Sequence, residues 1–271
     1  MEANNLSYNS LSELMYNTTV RLTCQQKGES MIGTGFFFRF DGSDNIYIVT
    51  NNHVALENAE KITFDFKIKE DGIYTIKSFS ITPSTDIWIR HKEYDIAMTP
   101  LIPIINHLPE ANKFSICYIS ESQIPSPEII RTFEYIEDIT MIGYPSGLIN
   151  PKTGFPAIRR GITATPLQQS FPCKIDGYDK MMEDLFFIDA ASVGGSSGSP
   201  VCICNSGSYF YQKSLYVGER FWFVGIMAAQ AGMSEQPDPE NPSLIIQHPI
   251  HLGIAIHARH LLDLKSKAVI D

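Results

Sequence analysis

Short apolar or alternating segments separated by turn residues recur along most of the chain. Residues 20–24 alternate apolar and polar side chains, as a strand with one buried face does. Residues 46–50 form a run of β-branched and aromatic side chains that is typical of a buried strand. Helical periodicity is confined to residues 52–59 and to the C-terminal residues 259–264. The pattern predicts an all-β barrel or sandwich.

The rhythm of short strands occurs in two halves of the chain. The predicted strands lie at 20–24, 31–40, 46–50, 61–69, 73–81, 87–89 and 94–98, and then at 139–143, 161–165, 185–190, 201–204, 221–228 and 252–256. Residues 99–128 contain five prolines and predict a crossover between the halves. We therefore predict an N-terminal extension at 1–14, a first barrel at 15–124 and a second at 125–271 that ends in a short helix.

Composition and charge exclude several classes of partner. The chain has 271 residues, 44% of them hydrophobic and 19% charged, which is ordinary for a folded globule. Its formal net charge is −9 and no run is rich in lysine or arginine, so we expect neither nucleic acid nor membrane as a partner. No apolar stretch reaches the roughly 18 residues of a membrane helix, and the polar start lacks the features of a secretory signal. These features predict a cytoplasmic protein.

The cysteines do not form a disulfide framework. Five cysteines, an odd number, are spread along the chain, which is typical of a reducing compartment. Cys202 and Cys204 would share one face of a strand, but no second Cys/His pair stands at a metal-binding spacing. We therefore predict no metal and no other cofactor.

The stretch 194–201 consists almost entirely of glycine and serine before a Pro-Val pair. Such small residues supply no core volume and predict a tight, bent loop. One interpretation is a flexible linker. The other is a nucleophile loop, whose inward-facing backbone N–H groups would stabilise a developing oxyanion. The loop alone leaves both open.

Three residues decide between these interpretations when they are taken together. His53 follows the buried strand at 46–50, Asp95 precedes an apolar run in which a carboxylate needs a partner, and Ser197 lies in the glycine-rich loop. Singly, each has an ordinary interpretation: a turn histidine, a loop acid and a linker serine. In this order and context the three indicate a catalytic triad.

At these positions the chain resembles the chymotrypsin-fold serine proteases, and among them the protease domain of the HtrA/Deg type most. The signature blocks are NNHV at 51–54, DIA at 95–97 and GSSGSP at 195–200. Further similar blocks lie at 33–36, 142–145, 189–191, 224–226 and 253–256, so that the resemblance covers roughly residues 15–260.

The resemblance implies two six-stranded antiparallel β-barrels with the active site in the cleft between them. His53 would take the proton of the Ser197 hydroxyl as it attacks a peptide carbonyl, and Asp95 would orient the imidazole. The N–H groups of Gly195 and Ser197 would form the oxyanion hole. The expected substrate is therefore a polypeptide.

The chain departs from related proteases at three points, two of which bear on the expected regulation. Ser199 stands where the family usually has glycine, a small change that we expect the loop to tolerate. Ser196 replaces the aspartate that pairs with a freed N-terminal amine in digestive trypsins, so a cleavage-activated zymogen is not expected. Loop ordering by a protein partner or by substrate is the remaining hypothesis. The C-terminal stretch of this sequence is short for the PDZ domain common in HtrA-type proteins, so we do not expect PDZ-driven regulation.

The resemblance also predicts the primary substrate pocket. Ala191 would lie at its base, with Met227, Ala228 and Ala255 on its walls, and no charge is among them. This predicts cleavage after small or medium apolar residues. The acidic stretch 235–242 would rim the cleft, either as a solvated loop, which we favour, or as a site for basic substrate residues.

The leading hypothesis is a serine endopeptidase acting in quality control or in a stress or defence pathway with a dedicated substrate. The alternative is a non-catalytic or partner-activated binding module on the same fold. Oligomerisation through the N-terminal segment is also open.

Overall fold

Two large antiparallel sheets contain nearly all the strands in this computed structural model. The described residues are 10–106, 108, 110–175, 181–211, 214–231, 233–237, 245–249 and 251–268; for 233–237 and 245–249 only the backbone is described.

The first sheet contains the strands of the N-terminal half. They are β1 (Thr19–Gln26), β2 (Glu29–Arg39), β3 (Ile46–Thr50), β4 (Lys61–Glu70), β5 (Ile73–Ile81), β6 (Ile89–Arg90), β7 (Ala97–Pro100) and β8 (Ile119–Ser120). The strand order is β5-β4-β1-β2-β3-β7-β6, and β8 pairs with β2 in parallel beside this path.

The second sheet closes into a barrel. Its strands are β9 (Asp138–Gly143), β10 (Ala157–Thr163), β11 (Phe171–Lys174), β12 (Met181–Asp189), β13 (Pro200–Tyr211), β14 (Ser214–Gln230) and β17 (Leu252–His257). The order is β10-β9-β13-β14-β17-β12-β11, and β10 also pairs with β12. This pairing makes a ring of six strands, the number that the resemblance implied, with β11 attached outside it.

Helices are few and short among the described residues. They are α1 (Leu11–Asn17), α2 (Ile102–Ile105), α3 (Pro127–Ile130) and α4 (Lys265–Ala268). The predicted C-terminal helix is present, but residues 258–264 are a 3₁₀-helix and α4 follows them. The expected helical stretch at 52–59 is a series of turns.

The N-terminal helix α1 crosses the boundary predicted at residue 14. The Ser10 hydroxyl caps it by accepting from Glu13 N at 3.2 Å. Leu14 and Met15 are buried, so this segment packs against the barrels, which the polar residues around it did not indicate. The domain limits 1–14, 15–124 and 125–271 stay a prediction.

Three apolar clusters hold the sheets together: one inside each sheet and one between the two. Residues Phe36–Phe38 of β2 form a continuous apolar run because both faces of the strand are buried there. Phe37 faces the interior of the first sheet, whereas Phe36 and Phe38 face the second. Phe36 meets Phe223 of β14 edge to face, with ring centroids 5.2 Å apart.

The hairpin of β13 and β14 is much longer than the predicted strands at 201–204 and 221–228. It continues beyond the barrel, with Phe210 66% and Val217 87% exposed. At its base, Arg220 pairs with the buried Glu137 at 2.5 Å. After β14, the predicted acidic loop contains β15 (Met233–Pro237), which pairs with β16 (Ile245–Pro249). Asp238, Pro239, Glu240 and Pro242 lie outside the described residues.

Candidate active site

His53 and Asp95 come together at one end of the first sheet. His53 lies in the turn that follows β3, and Asp95 in the loop between β6 and β7. Asp95 Oδ2 lies 2.6 Å from His53 Nδ1, and Oδ1 accepts from His53 N at 3.1 Å. The carboxylate is fully buried, whereas the imidazole is 35% exposed. The acid thus holds both the ring and the backbone of the histidine, and the other ring nitrogen remains for the cleft.

The position of this pair follows from the local sequence. Val54 and Ala55 are buried and anchor the turn, in which Val54 N donates to Asn51 O at 3.2 Å. The Asn51 side-chain amide donates to Asp95 O at 2.6 Å. Gly33 of β2 accommodates this turn, since a Cβ there would lie 2.5 Å from Val54. The NNHV block therefore supplies both the histidine and the contacts that place it.

Behind the acid, Tyr94 connects the same loop to the second half of the chain. The Tyr94 ring stacks on His260 with centroids 3.7 Å apart, and His260 Nε2 lies 2.6 Å from Asp184. Burial acts to raise the pKa of Asp184, but the hydrogen bonds from His260 and Arg259 outweigh it and lower the pKa. Burial lowers the pKa of the neighbouring His257 to about 4. A negative charge on Asp184 therefore holds the C-terminal segment behind Tyr94.

Ser197 lies in the loop that joins β12 to β13. Ser196 N donates to Val193 O at 3.1 Å, and Ser199 N donates to Ser196 O at 3.0 Å, so the loop makes two successive turns. Gly198 has φ +83°, and a Cβ on it would lie 1.9 Å from Thr34 O, which requires glycine there. The Ser197 hydroxyl donates to Ala228 O at 3.3 Å.

The N–H groups of Gly195 and Ser197 are among those of the loop that make no backbone hydrogen bond within the described residues. Gly194 O accepts from Ser146 N at 2.6 Å, and in a trans peptide the following N–H, that of Gly195, points the opposite way. Among the backbone hydrogen bonds of the described residues, none uses the N–H of Gly195 or of Ser197. These are the two groups that the sequence assigned to an oxyanion hole.

Thr34 of β2 is a site residue that sequence reasoning did not single out. Its N–H donates to Ser197 O at 2.9 Å, its hydroxyl donates to Gly195 O at 3.1 Å, and the same hydroxyl accepts from Tyr144 N at 3.0 Å. It is fully buried between the two sheets. The available signal was its place between two glycines at 33–35, where a Cβ would lie 2.5 Å from the Val54 side chain or 2.9 Å from that of Ile48.

The predicted pocket residues are only partly brought together. Met227 O accepts from Gly198 N at 2.8 Å, so Met227 and Ala228 both lie against the nucleophile loop. Ala255 is buried and pairs with Met227 in the neighbouring strand. Ala191 is exposed at the start of the loop with φ +47°. That these four residues line a substrate pocket stays a prediction.

Gln230, which the sequence analysis did not include, joins the two sides of the predicted pocket. It ends β14, and its side-chain amide donates to Ser192 O. Ser192 directly follows Ala191, the predicted base. Its side chain therefore links the end of β14, the strand that carries Met227 and Ala228, to the loop residue next to Ala191.

Two antiparallel barrels with a histidine, a buried acid and a serine loop at their junction define the chymotrypsin-like class of protein. Residues 33–208 of the chain match the family model of the trypsin-like peptidase domain. The chain belongs to this family, which places it among the serine proteases. A comparison with curated protein sequences gave no match.

Solved structures of proteases share the fold. The Rv3671c protease of M. tuberculosis in its active form is 15% identical, with a TM-score of 0.54 over 96% of this chain and 84% of that chain. The MamO protease domain of Magnetospirillum magneticum is 13% identical, with a TM-score of 0.52 over 93% and 98%. The HtrA-type protease AlgW with tripeptide is 17% identical, with a TM-score of 0.50 over 96% and 64%. These likenesses confirm the predicted fold.

Two searches of the described residues bear on other kinds of site. No described helix combines the length and apolar character needed to cross a bilayer. Within the same part of the chain, no three His, Cys, Asp or Glu side chains are grouped so that they could hold a metal ion.

Proposed function

We propose that the chain is a serine endopeptidase that hydrolyses peptide bonds through His53, Asp95 and Ser197 and an acyl-enzyme intermediate. The observation that carries this proposal is the two-point contact of Asp95 with the ring and backbone of His53. A buried carboxylate bonded to Nδ1 selects the tautomer whose Nε2 can accept a proton.

The reaction begins when the Ser197 hydroxyl turns from Ala228 O toward His53 Nε2. His53 removes the hydroxyl proton as Oγ forms a bond to the peptide carbonyl carbon. The resulting oxyanion accepts hydrogen bonds from the N–H groups of Gly195 and Ser197. His53 then gives the proton to the departing amine, and water hydrolyses the acyl-enzyme by the same steps with water as nucleophile.

We further propose cleavage after small or medium apolar residues. The contact of Gln230 with Ser192 O supports the lower end of this range, because the bridging side chain reduces the room between the predicted walls. Replacing it in Gln230→Gly should raise kcat/KM for substrates with a large apolar residue before the scissile bond by about tenfold, the lower end of what one methylene is worth in a pocket. Rates for alanine at that position should change less.

The test of the function compares wild type with Ser197→Ala. A fluorophosphonate probe should label wild type and not the variant, and new N-termini formed in a cell lysate should appear with wild type alone. Ser208→Ala, an exposed serine of the long hairpin, is the control and should be labelled like wild type. The absence of labelling and cleavage in wild type would contradict the proposal.

One observation favours the alternative, a partner-activated or non-catalytic binding module. The Ser197 hydroxyl bonds to a carbonyl and not to the imidazole among the described contacts. The same labelling experiment with lysate fractions added decides it, since a partner-activated protein is labelled only in their presence. A role in quality control or in a stress or defence pathway, a cytoplasmic location and oligomerisation remain hypotheses of the sequence.

A further inference from the structure

Strand β10 forms the surface on which the start of the nucleophile loop lies. Arg159 and Gly161 are two residues apart and face the same side of the strand. A Cβ on Gly161 would lie 2.0 Å from Asp189 O and 2.8 Å from Ala190 Cβ, so the chain entering the loop touches the strand here. Arg159 extends from this surface toward the loop itself.

The Arg159 guanidinium bonds to both ends of the segment 191–196. Nη1 donates to Ala191 O at 2.6 Å, and Nη2 donates to Ser196 Oγ at 2.9 Å. Ser196 is fully buried, and its hydroxyl also accepts from Val193 N at 3.4 Å. One planar group thus sets the distance between the start of the loop and the residue that precedes the nucleophile.

The same guanidinium has no carboxylate partner among the ion pairs of the described residues. Its Nε atom is buried without a hydrogen-bond partner, and burial lowers the pKa of the group, which nevertheless stays charged. A partly buried cation without an acid reduces stability, so its two contacts with the loop call for a function.

We propose that Arg159 is a positioning residue that holds the 191–196 segment so that the Gly195 N–H faces the cleft. The inference rests on the proposed peptidase function. In this proposal a side chain of β10 orders the 191–196 segment, which would otherwise need a freed N-terminus or a protein partner to become ordered. Ser196 is the acceptor through which Arg159 acts, which explains why a hydroxyl serves at a position without an aspartate.

The test measures kcat and KM for Arg159→Met, Arg159→Lys and Ser196→Ala. Arg160→Met is the matched control, since Arg160 is the next residue of β10 and is exposed. Arg159→Met should lower kcat by roughly 10- to 100-fold, as expected when loss of charge-assisted hydrogen bonds depopulates the formed loop. Arg159→Lys should retain more activity, Ser196→Ala should lower kcat by less, and Arg160→Met should match wild type.

Two further readouts separate positioning from a general loss of structure. Peptide affinity, measured in the Ser197→Ala background, should change less than twofold on adding Arg159→Met, and free guanidinium ion at millimolar concentration should restore part of kcat to Arg159→Met. Unchanged kcat in Arg159→Met and Ser196→Ala would overturn the inference. So would equal losses in Arg159→Met and Arg160→Met. If Arg159→Met does not fold, Ser196→Ala carries the test. A wild type that never cleaves or labels contradicts the proposed function instead.

Discussion

The two halves of the candidate site are held in different ways. In the first barrel, Asp95 bonds directly to the ring and backbone of His53, and both residues belong to that barrel. In the second, Ser197 lies on a bent loop that is bonded to Thr34 of the first barrel, to Ser146 and to Arg159 of β10. One half is a local pair, whereas the other depends on contacts from several parts of the chain.

This difference determines which changes each half should resist. The tautomer of His53 and the stabilisation of its charged form depend on one buried carboxylate, so a single substitution removes them. The loop geometry is the sum of several bonds, each of modest value, so single losses should lower activity in part. The loop is therefore the half of the site that partners or substrate can adjust.

The largest effect should come from Asp95→Asn. The amide keeps the size of the carboxylate but cannot stabilise the imidazolium, and it favours the wrong tautomer of His53, so kcat should fall about 10⁴-fold. The fall in kcat is measured with a peptide substrate. The thermal unfolding midpoint of the variant serves as a check that it still folds. A fall of less than tenfold would show that the local pair does not carry catalysis.

An intermediate effect is expected for Thr34→Val, which removes the hydroxyl and keeps the shape. The Gly195 carbonyl loses its donor and Tyr144 N–H loses its acceptor, a loss of about 1–3 kcal/mol for a buried group. We expect kcat to fall about tenfold with KM little changed, as for a disturbed oxyanion site.

Thr18→Val is the control for Thr34→Val, because Thr18 is also buried and its hydroxyl donates to Met15 O, at the end of α1. It should lower stability by a similar amount without lowering kcat. Equal kinetic losses in the two variants would mean that the contact of Thr34 with the loop has no special role.

The smallest effect concerns stability against pH. Lys67 of β4 is fully buried, its ammonium donates to Thr19 O and to Tyr144 Oη at 3.2 Å, and burial lowers its pKa from 10.5 to about 7. Between these values the unfolded chain binds more protons, so stability should rise with pH, by up to about 1.4 kcal/mol per unit. Lys67→Met should remove this rise.

Urea unfolding between pH 7 and 8.5 measures the Lys67 effect. Burial raises the pKa of Cys24 and of Cys117 to about 11. At a pH above 8.5 these thiols therefore lose their protons in the unfolded chain but keep them in the folded protein, and the free energy of unfolding falls as the pH rises. Lys61→Met, an exposed position of the same strand, is the control. Parallel curves for wild type and Lys67→Met would contradict the prediction.

Much of the fold could be predicted because its strands carry strong local patterns. The predicted limits of β3 and β5 coincide with the structure, and those of β4 differ by one residue. The outer part of the β13–β14 hairpin was missed, since its many exposed residues follow no burial pattern and only pairing between the strands defines it. Helix α1 was missed because only two of its three buried residues, Leu14 and Met15, are apolar, which is too few to set a period.

For the site, the sequence identified the residues whose side chains have a well-known role in catalysis. His53, Asp95 and Ser197 stand in recognisable blocks, and the structure brings the first two into contact. Thr34 lies in the similar block 33–36, but nothing in the sequence gave it a role. Arg159 lies in no such block. Both act on loop carbonyls or a serine hydroxyl that lie far from them in sequence.

The sequence by itself determined the succession of strands and the glycines at which the chain must bend. These properties depend on periodicity and on steric limits within a few residues, which neighbours in sequence set. Only the tertiary structure decided that β10 lies under the nucleophile loop, that Thr34 spans the two barrels and that Gln230 reaches Ser192. Such contacts arise when a barrel closes and brings distant segments together, and their free energies depend on that closure rather than on any local pattern.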